Sequence, residues 1–304
     1  MDTLIKSVYD NAYYIISFKD SMQENHLFCF GLGYSATQLA KDLLANGWRV
    51  SGTCRNTEKF PKLKTLGITP HIFDHDLPLD NLWDFNSVTH ILTSIPPNEE
   101  GDIVLNYHLD DLKKLPDLKW AGYLSTTGVY GDHKGEWVDE ETPTNPPNDR
   151  SRYRVEAENA WLESGLPVHI FRLAGIYGKG RSSIESLKNG TARRIDKHGQ
   201  VFSRIHVEDI AQILTASIEK PNAGSIYNCA DDLPCPQAEV VEYAAKLIGI
   251  KPPELIPFEQ ADLSPMARSF YMSNRRVSNK KIKDELGVKL KYPDYKSGLG
   301  GVYK

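Results

Sequence analysis

The sequence contains few cysteines, no long apolar run and no excess of positive charge. Cys29, Cys54, Cys229 and Cys235 are its four cysteines among 304 residues, and their spacing is not typical of a metal site. So few cysteines indicate a reduced, cytoplasmic protein. No apolar segment approaches the ~18 residues that a membrane-spanning helix requires. A net charge of −4 argues against nucleic acid or an anionic membrane as the main partner, because both select basic surfaces.

Residues 1–21 lack the features of a secretion signal. They have no basic leader, no continuous apolar core and no small-residue cleavage site. After Met22, the segment QENHLFCFGLG begins in the manner of a domain. We interpret residues 1–25 as an extension that the fold does not require, or as a start codon assigned too early. A packed N-terminal helix is the alternative.

Apolar runs alternate with helical patterns over residues 26–220. The first run, HLFCFG, ends in glycine, and the segment behind it repeats apolar residues at i, i+3, i+4, i+7 and i+8, which is one face of a helix. Further strands are predicted at residues 48–54, 69–74, 88–95, 120–126 and 167–175. Strands that alternate with helices form parallel β/α units, so the sequence predicts an α/β fold with a doubly wound parallel sheet of the Rossmann type.

From about residue 221 onward the pattern becomes less regular, with a helix predicted at 237–249 and turns such as KPPEL. We expect a Rossmann domain at 26–220 and a smaller substrate lobe at 221–304, to which residues 178–200 contribute. Ligands of doubly wound sheets bind beyond the carboxyl ends of the strands. Segments such as GLGYSA, SIPP and STTGVYG follow the predicted strands, so we place the binding site there.

The first predicted strand is followed by the pattern G-x-G-x-x-A, made by Gly31, Gly33 and Ala36. Glycines at a strand-to-helix turn let the backbone approach a pyrophosphate, which the helix N-terminus holds. We therefore predict a dinucleotide site that includes Tyr34 and Ser35, the first residues of the helix. A tight turn without a ligand is the alternative.

The end of the second predicted strand, TCRN, lacks an acidic residue. An acid there would accept hydrogen bonds from the ribose of NAD, whereas Arg55 suits the 2′-phosphate of NADP. We therefore expect NADP rather than NAD, and a solvated loop arginine is the alternative. Asp74 or Asp76 is a candidate for contact with the adenine. We interpret His71 and His75 as surface residues and predict no metal site.

Several further segments occur in an order that is typical of one superfamily. They are YLSTTGVYG (123–131), the acidic, proline-rich loop 139–149, an arginine-rich helix start, RLAGIYGKGR (172–181) and RIHVEDIA (204–211). In this order the chain resembles the extended short-chain dehydrogenases/reductases, the NAD(P)-dependent epimerases and dehydratases. The resemblance extends over residues 26–220 and is closest to an atypical bacterial subgroup of largely undefined substrate.

The resemblance implies roles for residues at the motif positions of that family. Thr126, four residues before Tyr130, occupies the position of the catalytic Ser or Thr. The residues implied in cofactor binding at the ends of later strands are Ser94, Ile95, Pro96, Ser125, Gly175 and Ile176. On the substrate side the family pattern implies Arg181 and His206.

The helix that should carry the tyrosine and lysine of the family pattern departs from it. With Glu158 as the anchor, Arg154 stands at the lysine position and Arg150 at the tyrosine position. An arginine stays protonated, with a pKa above ~12, so Arg150 cannot shuttle protons and is expected to bind an anion. Arg154 retains the charge and donors that hold ribose hydroxyls, and it can pair with Glu158. A salt-bridged exposed helix is the alternative interpretation.

Tyr153 lies three residues after the expected tyrosine position. On a helix this moves it about 4.5 Å along the axis and about 60° around it. With Ala157 and Trp161 at i+4 and i+8, Tyr153 is predicted to pack against the core. Tyr130 and His206 are the other titratable candidates for the cleft.

These expectations describe an NADP-binding oxidoreductase or epimerase that acts on a small anionic or nucleotide-sugar-like molecule, with a homodimer left open. The candidate catalytic residues are Thr126, Arg154 and Tyr130, and the candidate substrate-binding residues are Arg150, Arg181 and His206. An inactive NADP-binding sensor is the alternative. Convergence of Tyr130, Arg150 and His206 in an open cleft would favour the enzyme, and a filled cleft would favour the sensor.

Overall fold

The apolar runs form the strands of a parallel sheet in the computed structural model, which describes residues 25–74, 76–79 and 85–303. Nearly all of the predicted extension, and His75, lie outside these residues. The described strands are β1 (His26–Phe30), β2 (Arg49–Cys54), β3 (Thr69–Ile72), β4 (His90–Thr93), β5 (Trp120–Thr126), β6 (Trp137–Val138), β7 (Val168–Leu173), β8 (Gly175–Tyr177), β9 (Arg194–Asp196), β10 (Arg204–His206), β11 (Ile226–Cys229), β12 (Leu255–Pro257) and β13 (Arg276–Val277).

The helices cross over between the strands and cover both faces of the sheet. They are α1 (Tyr34–Ala45), α2 (Phe60–Thr65), α3 (Ile103–Lys113), α4 (Asp149–Glu163), α5 (Ser183–Lys188), α6 (Val207–Glu219), α7 (Gln237–Leu247), α8 (Pro265–Phe270), α9 (Lys280–Asp284) and α10 (Tyr295–Tyr303). None of the described helices combines the length and the apolarity that a membrane crossing requires.

The main sheet has seven strands in the order β11-β7-β5-β4-β1-β2-β3, and all of its pairings are parallel. The predicted α/β class and doubly wound sheet are confirmed. Central strands such as β1, β4 and β7 are buried on both faces, which continuous apolar runs allow. Chain order reverses beside β1, and this switch point lies at the carboxyl ends of β1 and β4, where doubly wound folds bind ligands.

Alternate residues of β1 enter two different cores. Leu27 and Cys29 face the cluster formed with α1 and α6, whereas Phe28 and Phe30 face the cluster formed with α3 and α4. This alternation follows from the two-residue period of a strand. Each fully buried apolar side chain of this size contributes roughly 1.5–3 kcal/mol, so the two layers hold the strand ends of the cleft in place.

The smaller lobe has its own apolar clusters. One joins α5, α7 and α10, and another surrounds Ile195, Ala261 and Tyr271. The seventh strand of the sheet, β11, lies beyond residue 220, where the sequence analysis ended the Rossmann domain. It belongs to the sheet because Ile226–Cys229 pairs in register with Ile170–Leu173.

Candidate active site

A cleft of about 1310 Å³ separates the carboxyl end of the sheet from the smaller lobe. This exceeds the roughly 300–1,000 Å³ of a pocket for one small ligand, so a nucleotide and a substrate fit side by side. The predicted site residues that line it are Gly33, Tyr34, Ser35, Ser94, Pro96, Ser125, Thr126, Arg150, Arg154, Gly175, Ile176 and Arg181. Most of the predicted site therefore converges on one place.

The glycine turn after β1 is built for close approach. Gly31 has φ +85°, and a Cβ there would lie 2.9 Å from Ile95 Cγ1 and 3.0 Å from Ser94 Oγ. The Ser94 hydroxyl donates to the Gly31 carbonyl at 2.6 Å, and the Gly31 amide donates to Thr53 Oγ1 at 2.8 Å. Gly33 begins α1 without a side-chain cap. The turn thus leaves a helix N-terminus open to the cleft, which suits the pyrophosphate of a dinucleotide.

Four predicted cofactor residues lie outside the cleft lining. Gly31 and Ile95 touch each other beneath it, and Ala36 is fully buried where α1 meets the sheet. Arg55 is exposed directly after β2, at the strand end where a cofactor ribose is selected. Asp74 closes a turn with Leu77 beyond β3. Within the described residues no group of three metal-ligating side chains is placed to hold a metal ion.

The hydroxyls of Thr126, the last residue of β5, and Ser151 of α4 lie close to each other. Thr126 Oγ1 accepts from the Gly128 amide at 3.0 Å and faces the cleft. A Cβ on Gly128 would lie 3.3 Å from Thr126 Oγ1 and 3.4 Å from Ser151 Oγ, so the two hydroxyls flank this glycine. Ser151, on the first turn of α4, was missed because its neighbours Arg150 and Arg154 were assigned from the family register alone.

Arg154 is held beside the same strand. Its Nη1 donates to the Leu124 carbonyl at 2.7 Å and to the Tyr123 hydroxyl at 3.2 Å. The predicted Arg154–Glu158 pair is wrong. Glu158 is buried under the sheet and forms an ion pair with Arg172 of β7, with Arg172 Nη2 2.7 Å from Glu158 Oε2. Arg154 therefore has no carboxylate partner among the described residues, and it lines the cleft.

Tyr130 lies outside the cleft, contrary to the expectation that it converges there. Its ring is fully buried. Its hydroxyl donates to Asn228 Oδ1 at 2.8 Å and accepts from Arg172 Nη1 at 3.0 Å. Burial raises the pKa of Tyr130, which disfavours the phenolate further. Both ends of the hydroxyl are used inside the fold, so we interpret Tyr130 as a structural residue.

His206 also lies outside the cleft, buried beneath it at the start of α6. Its Nδ1 accepts from the Glu208 amide at 3.3 Å, and its ring packs between Tyr177 and Tyr292 at centroid distances of 5.1 and 4.1 Å. Burial lowers its pKa to about 4, so the imidazole is neutral at pH 7. It caps a helix and faces no substrate.

Tyr153 lies neither in the cleft lining nor in the core, the two positions considered for it. Ala157 and Trp161 enter the core as expected. The Tyr153 ring stays half-buried, with the Arg152 guanidinium 4.7 Å from its centroid. Arg152 also pairs with Asp149 and Glu156. These ion pairs lie on the face opposite to Arg154. The salt-bridged exposed face considered for Arg150, Arg154 and Glu158 does not form, because Glu158 is buried with Arg172.

The cleft is strongly positive. The charged side chains that line it are Arg150, Arg154, Arg181, Arg204, Arg275, Asp149 and Glu185. Within the described chain, no carboxylate lies at ion-pair distance from these five arginines. Asp149 pairs outward with Arg152, and Glu185 accepts from the Gly180 amide at 3.1 Å. Such a lining favours an anionic ligand.

Arg204 and Arg275 were missed by the sequence analysis, as were Met266 and Phe270 on the cleft face of α8. The only available signals were an arginine beside an apolar strand pattern in SRIHVED and in NRRVSN. Neither signal shows which side of the strand faces a cleft.

The chain was compared with known proteins. It is 30% identical over 279 residues to protein YeeZ of Escherichia coli, a match that spans 87% of this chain and 95% of YeeZ. It is 48% identical to a conserved protein of unknown function from Silicibacter pomeroyi, with a TM-score of 0.86 and coverage of 92% and 98%. A putative NAD-dependent epimerase/dehydratase from Methylobacillus flagellatus is 26% identical, with a TM-score of 0.72 and the same coverage. No protein-family model matches the sequence.

More distant structures share the fold. A Bacillus anthracis dTDP-glucose 4,6-dehydratase in complex with NAD is 19% identical with a TM-score of 0.73. A human epimerase family protein with NADPH is 18% identical with a TM-score of 0.69. Proteins of this fold thus bind either nicotinamide cofactor.

Proposed function

Because the chain belongs to the NAD-dependent epimerase/dehydratase-like family of extended short-chain dehydrogenases/reductases, we propose that it is an oxidoreductase that uses NADP and acts on a small anionic substrate. One observation carries the proposal. The Thr126 hydroxyl and the Arg154 guanidinium lie at the end of β5 in a cleft whose arginines have no carboxylate partner among the described residues.

The chain's own residues divide the work between cofactor and substrate. The nicotinamide, when bound, supplies or accepts the hydride. The helix N-terminus at Gly33 suits the pyrophosphate, and Arg154 suits the ribose hydroxyls. The Thr126 hydroxyl is free to turn its proton toward a substrate oxygen, because its only hydrogen bond among the described residues, from the Gly128 amide, uses it as an acceptor.

Arg150 takes an electrostatic role rather than a proton-transfer role. It is exposed on the first turn of α4 and lines the cleft. A guanidinium stays protonated at neutral pH. It therefore stabilises a substrate carboxylate, a phosphate or a developing oxyanion without giving up its proton.

The choice of NADP rests on Arg55. It follows β2 directly and is exposed, and the sequence offers no acid at this strand end to hold a ribose 2′-hydroxyl. In a fluorescence titration of the protein, we expect NADPH to bind at lower concentrations than NADH does. Arg55→Ala should weaken NADPH binding by about tenfold, because charge-assisted hydrogen bonds of this kind contribute about 1.5–3 kcal/mol. Lys59→Ala, an exposed charge in the same connection, is the matched control. If neither nucleotide binds, the proposal is wrong.

A second candidate is a nucleotide-binding regulator that has lost catalysis. The burial of Tyr130 and His206 outside the cleft favours it, since both titratable candidates are used structurally. Keto acids and aldehydes assayed for NADPH consumption distinguish the two functions. Turnover that Thr126→Ala abolishes, with NADPH affinity unchanged, would exclude the regulator.

A further inference from the structure

Arg275, just before β13, is a half-buried cation with unused donors. Its Nη1 donates to the Gly131 carbonyl at 2.8 Å. Its Nε is shielded from solvent and finds no hydrogen-bond partner among the described residues. Burial lowers the pKa of Arg275 to about 10. A buried donor without a partner is destabilising, and a bound oxyanion would accept from the guanidinium where it lines the cleft.

The acid nearest in sequence to Gly131 forms no ion pair with Arg275, although its charge acts on the guanidinium and raises the Arg275 pKa against the effect of burial. Asp132 accepts instead from the Asn274 amide at 2.8 Å and from the Lys134 amide at 3.2 Å. The guanidinium therefore lines the cleft with its charge uncompensated by an ion pair within the described chain.

Arg204 adds a second charge to the same wall. It is 7% exposed, and it donates to the carbonyls of Phe202 and Cys235 at 2.8 and 3.2 Å and to Gln237 Oε1 at 2.8 Å. All of these acceptors are neutral. Asp231, whose charge acts on Arg204, has its pKa raised to about 7 by burial, so it offers only part of a negative charge at neutral pH.

The segments of the two arginines are joined, and both side chains line the cleft. The Val277 amide of β13 donates to Ser203 Oγ at 3.1 Å, and both residues line the cleft. Ser203 directly precedes Arg204, and Arg275 is two residues before Val277, on the same side of the extended chain.

An apolar face lies on the segment that leads to Arg275. Met266 and Phe270 are 60% and 62% exposed, and with Ser269 and Ser273 they line the cleft at i, i+4, i+3 and i+7. Arg268 points elsewhere, with its guanidinium 5.0 Å from the centroid of the Phe258 ring. Two large apolar side chains thus remain available to a ligand.

We propose that the substrate half of the cleft binds an amphipathic organic oxyanion, with its charged group against Arg275 in the field of Arg204 and its apolar body against Met266 and Phe270. This deepens the proposed function and rests on it for the identification of the anion as the substrate. A carboxylate and a phosphate monoester share the required chemistry. A polar body such as a sugar would leave the apolar face uncovered.

Calorimetric titration of the full chain without nucleotide tests the inference with four probes. Benzoate and phenyl phosphate carry a charge and an apolar ring, acetate lacks the ring, and benzamide lacks the charge. We expect one of the aromatic anions to bind at least about tenfold more tightly than acetate or benzamide, a difference of about 1.4 kcal/mol. The stronger of the two aromatic anions identifies the source of the oxyanion.

Arg275→Gln should weaken binding of that anion by at least about tenfold. The matched control is Arg276→Gln, which removes the same charge from the next residue. Arg276 also donates to a glycine carbonyl, that of Gly135, but it does not line the cleft within the described residues. We expect this control to change affinity less than about twofold.

Phe270→Ser keeps the test valid if Arg275→Gln does not fold, because Phe270 is mostly exposed. This variant should weaken binding of the aromatic anion and leave binding of acetate unchanged. Equal binding of benzoate and benzamide, no loss in either variant, or no binding of any probe would overturn the inference. NADPH binding without anion binding removes the inference alone, and anion binding without nucleotide binding removes the proposed function alone.

Discussion

The arginine under the sheet and the arginines of the cleft wall have opposite surroundings. Arg172 donates to both oxygens of Glu158 and to the Tyr130 hydroxyl, so its charge is matched inside the fold. Arg204 bonds to neutral acceptors, and Arg275 leaves Nε without a partner among the described residues. All three are largely shielded from solvent, yet only the first is neutralised by the protein.

This difference separates stability from binding. A buried ion pair whose two partners are both hydrogen-bonded rigidifies its surroundings. Removal of one partner leaves the other charge uncompensated. A shielded cation without an ion-paired acid attracts an anion from outside. In our proposal the cleft wall binds the ligand, and the network beneath the sheet positions that wall.

The largest effect should follow from breaking the matched network. Glu158→Gln leaves Arg172 buried without its counter-charge and replaces a carboxylate that accepts from Ser125 Oγ at 2.5 Å. We expect the free energy of unfolding to fall by about 3–5 kcal/mol, measured by urea denaturation. Arg152→Gln, which removes exposed ion pairs on the same helix, should lower the free energy of unfolding far less. Similar losses of unfolding free energy in both variants would contradict the conclusion that the buried Arg172 depends on its counter-charge.

The next largest effect concerns the glycine turn of the cofactor half. Gly31→Ala meets both a positive φ and a contact of 2.9 Å with Ile95, so we expect a loss of about 2 kcal/mol or more and a loss of nucleotide binding. Gly47 has φ +79° with no atom within 4 Å of its added Cβ among the described residues. Gly47→Ala should cost only about 1 kcal/mol and leave NADPH binding intact. Thermal unfolding and NADPH titration measure the two effects.

The sheet could be predicted because its information is local. Six of its seven strands were marked by an apolar run, and β5 was predicted with the bounds that the structure shows, Trp120–Thr126. The seventh, β11, was not predicted. The glycine turn was predictable for the same reason. Its residues lie close together in the chain, although the side chains that hold Gly31, those of Thr53 and Ser94, come from other strands and strand ends.

The network beneath the cleft could not be predicted because its partners are far apart in the chain. Helical spacing suggested Arg154 as the partner of Glu158, but Arg172 on a neighbouring strand lies closer in space. Tyr130 is held by Asn228, 98 residues away. No motif marks Arg275, because its value to the site depends on burial, which a sequence pattern does not report.

A smaller effect is expected from the acid that acts on Arg204. Burial raises the pKa of Asp231 from 3.8 to about 7. Between about pH 4 and pH 7 the folded state keeps a proton that the unfolded state releases, so this group lowers the free energy of unfolding as pH rises. Asp231→Asn removes that titration. We expect the variant to gain about 1–2 kcal/mol relative to the unmodified protein from about pH 5 to pH 8. Urea unfolding at a series of pH values measures it, and parallel curves would show that Asp231 ionises normally.

The smallest effect compares two arginines within the cleft. Arg150 is exposed, so its attraction to an anion is screened and contributes about 0.5–1 kcal/mol, and Arg150→Gln should weaken the best aromatic anion by about two- to fivefold. Raising the salt from about 0.1 M to about 1 M shortens the Debye length from about 10 Å to about 3 Å. The loss of affinity in Arg150→Gln should vanish at high salt, whereas part of the loss in Arg275→Gln should persist, because the Arg275 side chain is less exposed than that of Arg150 and its charge is screened less. If both losses vanish, Arg275 acts as a surface charge and the distinction between the two parts of the cleft fails.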